Sequence, residues 1–294
     1  ALSFLLEQAK LNEKETLQVG PFKICLSFEK ESLKKEVMSV FKELWPAIKA
    51  YQRDFNSIDC CCHIFINESH YNEYIKNNLK KSSEHCYKAE NRRLIYSSDY
   101  TVIKYFINTP SNYIGYIIPF IGKLIVFSPF LLRNNAIILH AAEVIYRNKG
   151  FIFAGPAGIG KTTICRILTH GGTYPLSDDR VIVYNEQDKF IVYPLWIFSH
   201  DSMDLSHEFL KNQFQTAPLE AIFFLEQSKE FALKELNLLN KISHISKNSF
   251  LFSGDINSSR DAFFSTAYNI AKNNKLYKLY YDKSDKIFSL LDTY

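Results

Sequence analysis

Glycine is scarce in this chain. There are ten in 294 residues, and six of them fall between Gly150 and Gly172. A chain that concentrates its glycine in one stretch has a backbone requirement there. The six cysteines (Cys25, Cys60, Cys61, Cys62, Cys86, Cys165) include no CxxC pair, and three in a row do not make a local disulfide framework. In "CCCHIF" adjacent strand residues face opposite ways, so Cys61, Cys62 and His63 do not readily share one metal ion. Buried free thiols in a reducing compartment are the expectation. A basic stripe is absent too. Net charge is +4, and residues 1–120 carry sixteen Lys and Arg against fourteen Asp and Glu. This excludes the footprint of a nucleic-acid face. The opening "ALSFLLEQAK" lacks a basic region and a long apolar run, so it does not read as a signal peptide. The apolar stretch 113–132 is interrupted by Pro119, Lys123 and Pro129. It reads as a buried strand followed by a core helix rather than a membrane span. The expectation is a soluble, cytoplasmic protein with no membrane partner.

What is present is enough for a core. An apolar fraction of 47% over this length allows one large domain or two small ones. The first third alternates between the two periodicities. "FKICLSF" (22–28) and "DCCCHIFIN" read as strands. Leu33, Val37, Val40, Phe41 and Leu44 recur at helical spacing within 30–51, and "SHYNEYIKNNLKKS" reads as a polar helix. "RRLIYSS" and "YTVIKYFIN" read as two strands joined by a turn around Asp99. A soft boundary near 120 divides an N-terminal α/β region, 1–120, from 121–294.

The second part predicts a strand over 139–146, a turn at "RNKG" and a strand over 150–154. A helix from Lys161 to Thr169 follows, stopped by Gly171 and Gly172. "RVIVYN" and "FIVYPL" read as a hairpin, and "APLEAIFFLEQ" as a further strand. Helix 260–272, strand 275–282 and a short helix end the chain.

The glycines belong to "GPAGIGKTT" (155–163), which has the pattern G-x-x-x-x-G-K-T at Gly155, Gly160, Lys161 and Thr162. A buried strand delivers the loop and a helix receives it, the context such a phosphate loop needs. Backbone N–H groups around Gly158, Ile159, Gly160, Lys161, Thr162 and Thr163 can point at one phosphate only in conformations that glycine tolerates. The start of the helix adds its positive end. Lys161 is placed to reach the β- and γ-phosphates, and the Thr162 hydroxyl to ligate Mg²⁺. ATP and Mg²⁺ are the expected ligands. Asp178 and Asp179 follow Lys161 by only 17 and 18 residues, with one helix and one turn between. The pair is therefore expected beside the loop. One carboxylate would bind metal and the other accept a proton from an attacking hydroxyl.

The stretch "LHAAEVIYRNKGFIFAGPAGIGKTTICRILTHGGTYPLSDDRVIVYN" resembles the catalytic core of the HPr kinase/phosphorylase family, whose P-loop fold is related to that of ATP-dependent phosphoenolpyruvate carboxykinases. The likeness is strong over about 60 residues and extends weakly to the C-terminus. It implies an α/β P-loop core with a mixed sheet over 121–294. It also implies phosphoryl transfer to a serine-type hydroxyl, with Asp178 as general base and Asp179 serving the metal with Thr162. His140 corresponds to the family histidine near the phosphates. Ala157 stands where the family has a serine, and the family's later acidic signature has no counterpart. The N-terminal region differs from that of HPr kinases. The implied acceptor is therefore a hydroxyl-bearing peptide, protein or small molecule rather than HPr itself, and a homo-oligomer is left open. Two rivals follow from the same residues: a nucleotide-binding regulatory protein with vestigial catalysis, and carboxykinase-like phosphotransfer.

Overall fold

The computed structural model describes residues 13–44, 58–66, 85–89, 92–107, 125–169, 173–195, 215–250 and 256–294. The boundary expected near 120, the polar helix over 69–82, the strand before 125 and the helix stop at Gly171–Gly172 lie outside them. The fold class is α/β, with two mixed sheets. The chain divides into two compact units, Ala1–Arg133 with Phe252–Ser258, and Asn134–Leu251 with Ser259–Tyr294.

In the first unit β1 (Glu13–Val19) and β2 (Phe22–Phe28) form a hairpin. Its two-residue turn has Gly20 at φ 58 followed by Pro21. The charged β1 was not expected as a strand. It lies at the edge of the sheet, where charge is tolerated, and turns Leu17 and Val19 inward. Helix α1 (Glu31–Leu44) crosses to β3 (Cys60–Ile66), which runs parallel to β2. β4 (His85–Ala89), β5 (Arg92–Tyr96) and β6 (Val102–Ile107) complete the order β1-β2-β3-β6-β5-β4. The expected turn at Asp99 is there: its Oδ1 accepts from Ser97 Oγ at 2.6 Å and Thr101 N at 3.1 Å. Cys60 and Cys62 are buried. Cys61 is half-buried in register with Cys25, and its thiol donates to Cys25 and lowers the pKa of that thiol. A short turn at Ile125–Phe127 leads into α2 (Ser128–Arg133), buried through Leu132.

The second unit is built on β7 (Ala136–Tyr146), β8 (Lys149–Ala154), α3 (Lys161–Thr169), β9 (Tyr174–Ser177), β10 (Arg180–Glu186), β11 (Lys189–Leu195) and β12 (Ala217–Gln227). After them come β13 (Ala232–Glu235), α4 (Leu238–Lys247), α5 (Ile256–Asn273), β14 (Lys275–Tyr281) and α6 (Lys286–Leu291). The sheet order is β11-β10-β7-β8-β12-β14-β13, with β9 beside β7. β7 starts earlier than expected because Ala136–Ile138 pair with β10. The hairpins β7–β8 and β10–β11 turn on Arg147-Asn148 and Gln187-Asp188, all four with positive φ, as twisted two-residue loops require. Helix α4 was not expected; it is mostly exposed and is started by Asn237, whose side chain accepts from Asn240 N.

β11 also pairs with β12 through Ile191↔Pro218 and Val192↔Ala217. This closes a ring of strands across the start of β8. Gly150 lies at the closure, and a Cβ there would run into Val192 Cγ2 and meet Pro218 O at 3.3 Å. Gly150→Ala therefore overpacks the ring and is expected to cost about 1–3 kcal/mol. Chemical denaturation with an unchanged midpoint would refute the close approach.

A carboxyl lies within the apolar core of the second unit. Glu143, on β7 opposite Ile152 and Ser177, is fully buried, and neither carboxylate oxygen has a hydrogen-bond partner. Burial raises its pKa well above the ordinary 4.5. A carboxyl raised on folding favours the native state below its unfolded pKa and loses that benefit as pH rises through the folded value. Glu143→Leu is thus expected to stabilise the fold by about 1–3 kcal/mol. The gain should widen from mildly acidic to mildly alkaline pH. A melting temperature that falls in the variant, or a gain that shrinks with pH, would contradict this.

Candidate functional site

The site forms where β8 ends. β8 is apolar and buried from Gly150 to Ala154, lies between β7 and the parallel β12, and delivers Gly155 to the C-terminal edge of the sheet. Gly155 N donates to His140 O at 3.4 Å, the last contact of β8's line with β7. Beyond it Asn248–Phe250 takes over that edge: His140 N donates to Asn248 O at 2.6 Å and Phe250 N to Ile138 O at 2.9 Å. The loop peels away between these two partners. Gly158 and Gly160 adopt φ 77 and 119, a region closed to most side chains. Ile159 N donates back to Pro156 O at 3.3 Å, and Ile164 N to Gly160 O at 2.9 Å opens α3. The helix is anchored by Ile164, Cys165 and Leu168, which pack with Phe151, Phe153, Phe223 and Leu279.

The loop and the acid pair line an open cavity of about 370 Å³. Of the residues expected at the site, His140, Gly158, Gly160, Lys161, Thr162, Thr163, Asp178 and Asp179 line it, together with Ala157. Gly155 and Ile159 do not; they shape the loop, and a Cβ on Gly155 would meet Ile159 Cγ2 at 2.9 Å.

Lys161 is buried, and its Nζ donates to Gly155 O at 2.8 Å and Pro156 O at 3.1 Å. Burial lowers its pKa, while Asp179 and Asp178 oppose the shift. Thr162 Oγ1, in the first turn of α3, donates to Asp178 Oδ2 at 3.0 Å. Asp178 Oδ1 is buried without a partner. Burial raises the Asp178 pKa, the Thr162 bond pulls the other way, and the charge of Asp179 adds to the rise.

Asp179 has different surroundings. The pairing of β10 with β7 sets Arg180 opposite His140, and Ala141 N donates to Asp179 O. His140 Nε2 donates to Asp179 Oδ1 at 3.1 Å, and Arg180 Nη2 lies 3.3 Å from Oδ2. Burial alone would raise the Asp179 pKa, but His140 and Arg180 outweigh it and leave it lowered. The two adjacent carboxyls are thus driven in opposite directions, an arrangement suited to separate roles as proton acceptor and permanent anion.

Three residues went unmarked in the sequence. Arg180 is buried, stacks over Phe250 at 4.4 Å, and keeps Nε and Nη1 without partners. Its position directly after the acid pair was the available signal. Phe250, also 5.5 Å from the His140 ring, had none. Gln227, at the end of β12, donates through Nε2 to Gly158 O at 3.1 Å and Ile159 O at 3.4 Å.

The oxygen donors fit Mg²⁺. The Thr162 hydroxyl and two carboxylates are hard ligands, and Asp178 Oδ1 is a buried acceptor with nothing to accept from. Among the described residues no group of three or more His, Cys, Asp or Glu could hold an ion by itself. Among the described residues, no helix is long and apolar enough to cross a membrane.

Comparison with solved structures finds a distant likeness to the Hpr(Ser) kinase/phosphatase from Coxiella burnetii, at 12% identity and a TM-score of 0.32, over 53% of this chain and 91% of that one. The resemblance to HPr kinases read from the motifs stands as a distant likeness and no more. The curated proteins searched contain no match. Residues 120–292, more than half of the chain, match the model of the family described as SynChlorMet cassette protein ScmC, and the chain belongs to that family.

Proposed function

We propose that this protein is an ATP-dependent phosphotransferase that moves the γ-phosphate to a serine-type hydroxyl of a peptide, protein or small molecule. The observation that carries the reading is one cavity. Loop glycines in left-handed conformations, the Lys161 ammonium, the Thr162–Asp178 bond and a second carboxylate of opposite pKa shift all converge on it.

The residues divide the work. Loop N–H groups and the α3 N-terminus hold the phosphates. Lys161 leaves the loop carbonyls to offset charge on the β- and γ-phosphates. Thr162 and Asp179 are the residues to hold Mg²⁺, which supplies neutralisation of the phosphate oxygens when bound. Asp178, whose raised pKa brings it closer to neutrality, takes the acceptor proton. His140 fixes Asp179 from one side and Arg180 from the other. The setting is proposed to be cytoplasmic.

A screen of hydroxyl-bearing peptides and metabolites with γ-labelled ATP and Mg²⁺ tests this. Label transferred to an acceptor, with ATP consumption that depends on it, is the expected result. ATP bound but never consumed across the panel would favour a regulatory protein with vestigial catalysis.

A further inference from the structure

β12 and β14 run parallel, with Gln227 and Tyr281 in register at their C-terminal ends. Strand alternation puts Gln227 on the same face as Leu225, which packs in the cluster around α3 with Tyr281. Both residues meet the phosphate loop. Gln227 Nε2 donates to the carbonyls of Gly158 and Ile159. The Tyr281 ring stands beside Gly160, 3.7 Å from where a Cβ would be.

The direction of these bonds matters. In a trans peptide the C=O and N–H point opposite ways. With the Ile159 carbonyl turned out to Gln227, the Gly160 N–H is turned the other way, toward the cavity side of the loop. With the Gly158 carbonyl turned out, the Ile159 N–H reaches Pro156 O and closes the turn. The flanking glycines that permit this conformation also permit its reversal, since no Cβ at Gly158 or Gly160 resists rotation of the peptide. A reversed peptide would aim a carbonyl, a partial negative charge, at an anion site. The loop needs an outside donor to keep it in one state, and the amide of Gln227 is in place to be that donor.

We infer that Gln227 is a positioning residue for the phosphate loop, fixing two loop peptides with their carbonyls outward before the nucleotide arrives. This rests on the nucleotide-binding reading above. It requires a hydrogen-bond donor at 227, not bulk. Gln227→Met keeps the length and removes the donor. Gln227→Glu keeps the shape and leaves only acceptors. Gln227→Lys keeps a donor.

Two readouts separate the clip from the nucleotide. Amide hydrogen exchange over 155–163 in the ligand-free protein should quicken in the Met and Glu variants and stay near wild type in the Lys variant. Calorimetry with ATP and Mg²⁺ should show affinity weakened about 3- to 10-fold by Met, the loss of one or two ordinary hydrogen bonds. Glu should weaken it further and Lys should preserve it. Loop exchange and ATP affinity in the Met variant equal to wild type would overturn the inference. So would a Lys variant as impaired as Met. If the wild type itself binds no ATP, the nucleotide reading falls, and the exchange arm still decides whether Gln227 restrains the loop.

Discussion

Asp178→Asn keeps ATP binding and loses phosphoryl transfer, by about 10²–10⁴-fold, the usual contribution of a general base. Asparagine is nearly the same size, and its carbonyl can still accept from Thr162 Oγ1, so the contact between α3 and the acid pair survives. It cannot take a proton, and the acceptor hydroxyl stays a weak nucleophile. The pH profile carries a second signature. A base works only when deprotonated, so transfer falls as pH drops through its pKa. Burial places the Asp178 pKa above the ordinary 3.8, despite the Thr162 bond. The acid limb of the wild-type profile should therefore lie above the usual aspartate range. Asp179→Asn should behave differently. Its carboxyl is held anionic by His140 and Arg180, so its loss should show mainly as a weakened response to Mg²⁺. Initial rates with γ-labelled ATP and an acceptor from the screen check this. If Asp178→Asn retains more than about a tenth of the wild-type rate at saturating ATP and Mg²⁺, well outside the range for a lost base, Asp178 is not the base.

Lys161→Ala weakens ATP binding by about 100-fold or more, the cost of a lost charge-assisted contact to each of two phosphates. The loop loses the one cation that projects into the cavity from its own sequence. Because Lys161 is buried, its ammonium acts with little screening by water. Lys161→Arg keeps the charge but not the compact head, and should recover binding only in part. Calorimetry on folded variants is the check, and ATP affinity unchanged in Lys161→Ala would mean that the loop is not the nucleotide site.

Much of this site was legible because it is local. The loop, the first turn of α3 and the acid pair lie within one stretch, so the spacing from Lys161 to Asp178 was enough to expect them together. The turns at Arg147-Asn148 and Gln187-Asp188 were legible for the same reason. What was hidden depends on strands meeting across long separations. Gln227 reaches the loop only because β12 is parallel to β8, and its sequence neighbours Glu226 and Ser228 give no hint of that. Gly150 reads as the residue where a turn gives way to a strand, and its close approach to β11 shows only in three dimensions. β1 and α4 escaped because edge strands and exposed helices carry polar residues that weaken the periodicity. Glu143 could have been found: a lone carboxyl lies within "AIILHAAEVIY", a strand whose interior is otherwise apolar but for His140.

The proposed function requires this cavity to recognise a nucleoside triphosphate by its terminal phosphates. Titration of the wild-type chain with ATP, and separately with AMP, each with excess Mg²⁺, tests it most directly. Saturable binding of one ATP per chain is expected, with far weaker binding of AMP, which lacks the phosphates that the loop and Lys161 are placed to hold. Equal affinity for the two nucleotides, or no binding of ATP at all, would contradict it.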